Sequence, residues 1–439
     1  MIYKPYKKYK DSGVEWIGEI PEDWEIVPVK KYLKFLIGGT PSTSREEYFE
    51  GDNIWVSISD LNDKDVIHDS KTKISDEAIQ KSNVKKIPIG SLLFSFKLSV
   101  GLTAFTGAEL YTNEAIASFL PNKTVSLNFF KYILGRGFEN NGFENIYGAK
   151  LFNTDLIKEA RFQLPETFDE QEKIANFLDK KTLAIDKAIE KNKKLIELLE
   201  EKRTSLINHV VTKGLNPNAK MKDSGVVWIG EIPEDWNLKK LKYNLNNITD
   251  GSHISVNILS EGYPYVTVSD LNEINEIIDL ENCKRISKQD YDLLVRNGCQ
   301  PNRGDILFSQ IGTIGLVVPV KRNNFVLLSS LAILTPSDNV IQRWLIHYLR
   351  SEAIKNQWRI WMAGGAIKRI TLDHISNFII VVPSLNEQER ISNFFDKKTL
   401  AVDKTIEKNK KLIELLEEYK KSLINHACTG KLNVLKSQS

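Results

Sequence analysis

The chain has 439 residues, enough for two or three domains that each bury a core, and its 41% hydrophobic and 27% charged residues are typical of an ordinary folded protein. No stretch approaches the about 20 apolar residues that a membrane helix needs, and the N-terminal MIYKPYKKYK lacks the apolar region of a secretory signal. The three cysteines form no CxxC pair. We therefore expect a cytoplasmic protein. The net charge of +3 is too small to indicate nucleic-acid binding by itself.

Two blocks of sequence occur twice along the chain. Residues 10–24, KDSGVEWIGEIPEDW, return at 222–236 with one difference, and residues 179–200 return at 396–417 with twenty of twenty-two positions the same. The segments between these blocks diverge far more. We therefore predict a tandem duplication, in which matching blocks meet each other or a common partner and divergent blocks meet different things. The predicted boundaries are 1–165 for the N-terminal arm and first variable domain, 166–213 for the first helical region, 214–383 for the linker, second arm and second variable domain, 384–430 for the second helical region and 431–439 for a tail.

Both variable segments are predicted to be compact mixed α/β domains with one principal sheet. Runs such as SLLFSFKLSV and FIIVVP read as strands, and residues 129–140 and 340–358 read as helices. Asp60 and Asp270 end equivalent strands, and we interpret them as loop-capping residues rather than catalytic carboxylates. For the basic, tyrosine-containing N-terminus we prefer a solvated tail over a nucleic-acid contact.

The two helical regions carry a coiled-coil pattern. Each begins with an acidic first turn after a proline, Pro165 or Pro383, and continues without Gly or Pro to about His209 or His426. Apolar residues alternate four and three apart along both helices, which is the heptad period. The predicted coiled-coil and subunit-interface residues are Leu178, Ile185, Ile189, Asn192, Leu195, Ile196, Leu198, Leu199, Phe395, Val402, Ile406, Asn409, Leu412, Ile413, Leu415 and Leu416.

Two details of this pattern bear on partners. Each seam contains one asparagine, Asn192 or Asn409, a residue that commonly fixes register at some cost in stability. Leucines also lie beside the seam, at 195 and 198 and at 412 and 415. Either they pack beneath the chain's own domains, or they accept a second helical partner.

No catalytic motif is found in the sequence. It has no GxxxxGK[ST] loop, no GxGxxG and no Pro-Pro dipeptide, so the Asn/Asp-Pro-Pro-aromatic motif of amino-group DNA methyltransferases is missing. The six histidines form neither HExxH nor a cluster with metal-ligand spacing. We therefore predict that the chain is not an enzyme and holds neither a cofactor nor a metal.

The repeated blocks closely resemble those of the specificity subunit of type I restriction-modification systems. The resemblance rests on Lys10 to Pro21 with Trp24, on the copy from Lys222 to Trp236, on Thr212-Lys213-Gly214-Leu215-Asn216-Pro217, and on the entries into the helices with Glu170-Gln171-Glu172 and Glu387-Gln388-Glu389. The loop Gly38-Gly39-Thr40-Pro41-Ser42 also resembles the family's first recognition domain, whereas the second domain departs from it with Asp250-Gly251-Ser252-His253.

The resemblance implies a mixed α/β fold with two globular target recognition domains joined by two long helices that pair as an antiparallel coiled coil, with pseudo-two-fold symmetry. A duplicated chain can close in this way, although no sequence feature alone excludes a parallel pair. It further implies that each domain reads one half of a bipartite DNA site while the helices set the spacing. The implied partners are double-stranded DNA, two methyltransferase subunits that carry S-adenosylmethionine, and a motor-nuclease subunit that uses ATP and Mg²⁺, with no membrane.

Base reading needs polar side chains that reach the major groove. The candidates are Thr40, Ser42, Thr43, Arg45, Lys97 and Lys150 in the first domain and Ser252, His253, Arg303, Gln310, Lys368 and Arg369 in the second. Lys97 and Gln310 are preferred, because they lie one alignment position apart in otherwise matching strands. The alternative function is a coiled-coil scaffold with two protein-binding heads, which DNA binding across a salt titration would distinguish.

Overall fold

The computed structural model describes residues 5–15, 17–62, 64–97, 99–137, 143–144, 150–151, 153–362 and 369–436. The chain divides into two compact units. Unit 1 comprises Met1–Glu190 and Ile413–Ser439, and unit 2 comprises Lys191–Leu412. The divisions fall inside the two long helices rather than at the predicted boundaries, because each unit includes part of both helices. No helix in the described ranges is both long enough and apolar enough to cross a membrane.

Unit 1 contains a five-stranded sheet in the order β4-β11-β8-β9-β6, in which only β6 and β9 run parallel, and a three-stranded sheet in the order β10-β5-β7. Its described strands are β1 (Tyr9–Asp11), β2 (Glu19–Pro21), β3 (Glu25–Pro28), β4 (Phe35–Ile37), β5 (Asn53–Val56), β6 (Val66–Ile67), β7 (Lys73–Ile74), β8 (Leu92–Ser95), β9 (Thr103–Thr106), β10 (Tyr111–Thr112), β11 (Ile116–Phe119), β12 (Phe143–Glu144), β13 (Lys150–Leu151) and β14 (Arg161–Leu164). Its helices are α1 (Val29–Tyr32), α2 (Asp76–Lys81), α3 (Leu127–Gly137), α4 (Thr154–Glu159) and the first part of α5 (Phe168–Lys213).

Unit 2 repeats this plan with a four-stranded antiparallel sheet in the order β18-β26-β23-β24 and a three-stranded sheet in the order β22-β19-β25. Its described strands are β15 (Met221–Asp223), β16 (Glu231–Pro233), β17 (Asn237–Lys240), β18 (Leu245–Asp250), β19 (Tyr263–Val266), β20 (Leu271–Asn272), β21 (Ile277–Ile278), β22 (Lys284–Ile286), β23 (Ile306–Ser309), β24 (Val317–Pro319), β25 (Val326–Leu327), β26 (Leu331–Pro336) and β27 (Ile379–Val382). Its helices are α6 (Lys288–Arg296), α7 (Gln342–Leu349), α8 (Glu352–Met362), α9 (Leu372–Ser376) and the first part of α10 (Leu385–Cys428). The prediction of two mixed α/β domains is confirmed.

The central strands are buried on both faces, because each principal sheet is covered on both sides. All four residues of β8 and of β11 are buried, and so are the four residues of β23. The single helix predicted over 340–358 is instead two helices, α7 and α8. The helix is interrupted at Ser351, whose Oγ donates to the Tyr348 carbonyl at 2.6 Å.

The long helices begin and end close to the predicted positions. At about 1.5 Å per residue, the 46 residues of α5 and the 44 of α10 span roughly 65–70 Å. Just beyond the ends of α5 and α10, Gly214 and Gly430 adopt φ values of +79° and +70°, a conformation that side chains other than glycine rarely adopt. A Cβ on Gly430 would also lie 2.3 Å from Pro21 Cδ.

From residue 5 onwards, the part that the structure describes, the N-terminal stretch is not a solvated tail, and Tyr3 and Lys4 lie outside the described residues. Tyr6 Oη donates to Glu170 Oε1 at 2.7 Å, its ring packs edge-on against Trp24, and Tyr9 Oη donates to the Gly430 carbonyl at 3.0 Å. Burial and the bond to Glu170 raise the pKa of the Tyr6 phenol. The N-terminus therefore joins the start of α5 to the segment after α10 within unit 1.

Candidate nucleic-acid interface

Each domain presents a set of loops at one edge of its principal sheet. In unit 1 the ends of β4 and β8 lie beside the start of β11, since Ile37 pairs with Ala117 and Ser95 pairs with Ile116. In unit 2 the ends of β18 and β23 lie beside the start of β26 in the same way. We call the globular part of unit 1 domain 1 and that of unit 2 domain 2, and we call these two sets of loops their loop edges.

The two loop edges begin with the same backbone geometry. Gly38 N donates to the Ile116 carbonyl, and Gly251 N donates to the Leu331 carbonyl. A Cβ on Gly38 would lie 2.0 Å from Thr112 O, and one on Gly251 would lie 2.3 Å from a backbone oxygen of β26's preceding turn. Glycine is therefore required at both positions by close approach of backbone, even though the loops differ beyond them.

Backbone bonds also fix which residues of the loop edges correspond. Phe96 N donates to the Ala115 carbonyl, and Gln310 N donates to the Ser330 carbonyl. Gln310 is thus the counterpart of Phe96, and both side chains are buried, at 0% and 1% exposure.

By the same register, three further positions correspond across the two loop edges. In domain 1 these positions are occupied by Thr40, Lys97 and Glu114, and all three residues are exposed. Their counterparts in domain 2 are His253, Ile311 and Ser329.

Three polar side chains lie at the loop edge of domain 1, and two of them, Thr40 and Glu114, are hydrogen-bonded. Thr40 Oγ1 donates to Glu114 Oε2 in a short hydrogen bond. That bond, the Glu114 backbone and the charge of Lys97 together hold the pKa of the Glu114 carboxyl below its usual range. Lys97 is exposed and lies over the Phe96 ring, with Nζ 5.4 Å from the ring centroid. We call Thr40, Lys97 and Glu114 the loop-edge trio; Glu114 was not among the predicted residues.

The other candidates of domain 1 lie along the loop after Pro41. Ser42 and Thr43 are exposed, and the Ser42 hydroxyl bonds that of Ser44 at 2.9 Å. Arg45 is also exposed, but its guanidinium is held by Tyr48 Oη at 3.0 Å and lies 3.8 Å from Glu77. For Lys150 only the backbone in β13 is described, and its side chain lies outside the described residues.

The candidates of domain 2 differ among themselves in exposure. His253 is exposed and its Nε2 lies 2.9 Å from Asp250 Oδ2. Ser252 is buried, and its Oγ donates to the Ile254 carbonyl at 3.1 Å. The amide of Gln310 is also buried: its Nε2 lies 3.4 Å from the Ser329 carbonyl, and its Oε1 has no partner.

This conformation therefore does not favour the prediction that Gln310 contacts DNA, because a buried amide cannot reach a base edge. Its position corresponds to a core phenylalanine of domain 1, which is the physical reason. Arg369 is exposed and its backbone bridges Ile311 at the loop edge. Arg303 instead lies at the opposite end of β23, in a cavity it shares with Arg343 and Asp396. Lys368 lies outside the described residues.

The predicted capping aspartates behave as capping residues. Asp60 Oδ2 accepts from Ser57 N at 2.9 Å, and Asp270 Oδ2 accepts from Thr267 N at 2.7 Å. Each also accepts from the hydroxyl of the same residue. Within the ranges that the structure describes, no group of three His, Cys, Asp or Glu side chains is placed to hold a metal ion.

The heptad rows are the inner faces of the long helices. Leu178, Ile185 and Ile189 are buried against residues such as Leu423 and Ala427 of α10 in unit 1, and Ile207, Val210 and Val211 pack in one core with Ile391 and Phe395 in unit 2. Ile406 is buried as well, and the remaining predicted seam residues are partly buried: Asn192, Ile196, Leu199, Val402, Asn409, Ile413 and Leu416.

Ion pairs at equivalent positions cross between the helices. In unit 1 Lys420 Nζ lies 2.6 Å from Asp186, and in unit 2 Arg203 Nε lies 3.0 Å from Asp403. The residue numbers of each pair add to the same value, so the helices run antiparallel in both units. A parallel alignment of the repeats would oppose Arg203 to Lys420 and Asp186 to Asp403, which is electrostatically unfavourable.

These acidic partners were not predicted from the sequence, although Arg203 and Lys420 lie within the heptad pattern and a cation placed there needs a partner of opposite charge. The side-chain amide of Asn409 in α10 donates to the Thr405 carbonyl of its own helix at 2.7 Å. Burial raises the pKa of the Asp403 carboxyl, and Arg203 and Arg350 oppose this only in part.

The leucines beside the seam are exposed. The exposed fraction is 42% for Leu195 and 51% for Leu198, and it is 43% for Leu412 and 52% for Leu415. The interpretation that they pack beneath the chain's own domains is therefore wrong. We call each pair a leucine stripe; the two stripes have equal exposure because they occupy equivalent positions of the repeat.

Comparison with known proteins agrees with this architecture. The family described as type I restriction modification DNA specificity domain matches residues 21–201 and 233–418. The MjaIX specificity subunit of Methanocaldococcus jannaschii is 24% identical over 95% of both chains, and the putative MjaX specificity subunit of the same organism is 27% identical over 98% of both.

Solved structures show the same fold. A chain from a study of complex assembly and conformational transition in the type I R-M system superposes with a TM-score of 0.72 at 16% identity, covering 94% of this chain and 99% of that one. The HsdS subunit of Thermoanaerobacter tengcongensis superposes with a TM-score of 0.55 at 16% identity, covering 94% and 98%. The chain, with two copies of the matched domain, belongs to the family of type I restriction-modification specificity subunits.

Proposed function

We propose that this chain is the non-catalytic DNA-reading subunit of a type I restriction-modification enzyme, and that each domain reads one half of a bipartite, asymmetric site through its loop edge. The observation that carries the proposal is the contrast within the repeat. The glycine turn that opens each loop edge is the same, whereas the side chains that follow it differ. Equal backbones with unequal side chains suit the reading of two different sequences.

The chemistry of the loop edges fits base reading. Lysine and arginine donate to guanine, carboxylates accept from cytosine, and Ser or Thr serves either role. Domain 1 offers such groups in the loop-edge trio and in the exposed Ser42, Thr43 and Arg45. Domain 2 offers His253 and Arg369. Arg303, at the other end of its strand, suits a phosphate contact better than a base contact.

The long helices are proposed to hold the two half-site readers at a fixed separation and to bind the partner subunits. The leucine stripes leave about half of each leucine side chain in water on the outer faces of two helices that carry many charged residues. Apolar residues one turn apart on a helix face are typical of helix-to-helix docking. Because the two stripes are equivalent, we propose that each binds one copy of a methyltransferase subunit.

Catalysis is assigned to the partners. We propose that S-adenosylmethionine binds the methyltransferase subunits, that ATP and Mg²⁺ bind a motor-nuclease subunit, and that this chain binds none of them. The complex is proposed to act on DNA in the cytoplasm.

The test is DNA binding by the purified chain, alone and with its methyltransferase subunits, across a salt titration. The proposal predicts that the complex binds duplex DNA with an affinity that falls steeply with salt, because phosphate contacts release counterions. Binding that is absent or insensitive to salt in both conditions would contradict it. Capture of proteins other than methyltransferase subunits, without DNA binding, would support the scaffold alternative.

A further inference from the structure

The loop-edge trio contains a feature that DNA binding alone does not explain. Glu114 is an exposed carboxylate at the edge that is proposed to face DNA, and the Thr40 hydroxyl and the Lys97 charge lower the pKa of that carboxyl. A fixed negative charge facing the phosphate backbone opposes binding. The cost of such a charge is reduced when the carboxylate accepts a hydrogen bond from the nucleic acid.

The major groove offers such donors. The donors on base edges there are the amino groups of cytosine, N4, and adenine, N6. Carboxylates pair with the cytosine amino group, whereas adenine is read by the amides of Asn and Gln, which both donate and accept. An ionised carboxylate accepts only, so Glu114 fits cytosine better than adenine.

Lys97 supplies the complementary half of the contact. The guanine that pairs with cytosine presents two adjacent acceptors, O6 and N7, and lysine is a common donor to them. The ammonium of Lys97 is exposed and lies near enough to Glu114 to act on its charge. An acidic and a basic group at one loop edge match the amino donor of cytosine and the two acceptors of guanine.

We propose that Glu114 and Lys97 select a C·G base pair in the half-site read by domain 1. The proposal rests on the proposed function and adds a residue and a base pair to it. Domain 2 cannot make this contact at the equivalent positions, because Ile311 and Ser329 replace Lys97 and Glu114 there and carry no charge.

The experiment uses the full complex with methyltransferase subunits and duplexes that contain the modified site, as defined by sequencing modified DNA. Exchange of residues 26–165 first assigns one half-site to domain 1. Each base pair of that half-site is then replaced by the other three, and affinities are measured for the wild type, for Glu114→Gln and for Lys97→Met.

The wild type should lose about ten- to a hundred-fold in affinity when one C·G pair is changed, the range expected for paired base contacts. Glu114→Gln should lose that discrimination and gain affinity for A·T at the same position, since glutamine both donates to and accepts from adenine. Lys97→Met should lose discrimination at the same pair without gaining A·T. Because ratios of affinity are compared within one preparation, a smaller folded fraction cannot mimic the result.

The matched control is Glu109→Gln, which changes another exposed carboxylate of domain 1, paired with Lys86 at 2.7 Å; its discrimination should equal that of the wild type. The proposal is overturned if the half-site contains no C·G pair, if Glu114→Gln keeps the wild-type preference, or if the change falls at an A·T pair or in the other half-site. Equal binding of all duplexes by the wild type would instead refute the proposed function itself.

Discussion

Removal of one leucine stripe should weaken the binding of one methyltransferase subunit and leave the other unchanged. The variants are Leu195→Ser with Leu198→Ser on α5, and Leu412→Ser with Leu415→Ser on α10. Full burial of a leucine contributes about 1.5–3 kcal/mol, and close to half of each side chain is still exposed. Docking thus gains about 1 kcal/mol per leucine, or about 2 kcal/mol per stripe, which corresponds to a roughly 30-fold higher Kd.

The assay is mass photometry of the specificity chain titrated with methyltransferase subunit. Each double variant should saturate one site at the wild-type concentration and the second at a concentration about 30-fold higher. Thermal unfolding of the free chain should change little, because the leucines are exposed. The control is Lys194→Ser with Glu197→Ser, which removes an exposed ion pair from α5. Two unchanged sites in both double variants would refute the docking assignment.

Three further predictions concern stability and spacing. Burial, together with the charges of nearby arginines, lowers the pKa of His347 to about 3, so its neutral form stabilises the fold above pH 6.5 and that stability is lost as pH falls towards 3. Between pH 7.5 and pH 5, the free energy of unfolding measured in urea should therefore fall by about 2 kcal/mol less in His347→Phe than in the wild type. Equal losses in the two proteins would contradict this. Arg203→Met should lower the free energy of unfolding by about 1–3 kcal/mol, because it leaves Asp403 unpaired. The double variant Arg203→Met with Asp403→Leu should have nearly the stability of the wild type. A double variant as unstable as the single one would show that the ion pair itself stabilises the helices. Insertion of one heptad after Asn192 and another after Asn409 should lengthen each helix by about 10 Å and change the spacer between the half-sites by about three base pairs. An unchanged spacer in modified DNA would show that the helices do not set the spacing.

The long helices could be predicted from the sequence because their determinants are local. Heptad periodicity, acidic first turns and the absence of Gly and Pro placed the first helix at 166–213, and it lies at Phe168–Lys213. The loop-capping aspartates were predictable for the same reason, since a capping box joins residues three apart.

Features that depend on distant residues could not be predicted. Gln310 reads as a surface amide in its own strand, and only pairing with the neighbouring strand shows that it fills a core position. Tyr6 reads as a tail residue until Glu170, far along the chain, accepts its hydroxyl. Glu114 lies at the same edge as Thr40 and Lys97 only because β11 begins where β4 and β8 end.

Two domains of one chain are proposed to read two different half-sites independently. The most direct test replaces residues 26–165 with the corresponding domain of another family member and sequences the modified genome of a host that carries the complex. Independent reading predicts a bipartite motif in which one half changes while the other half and the spacer length stay the same. Changes in both halves, or a continuous motif without a spacer, would contradict it.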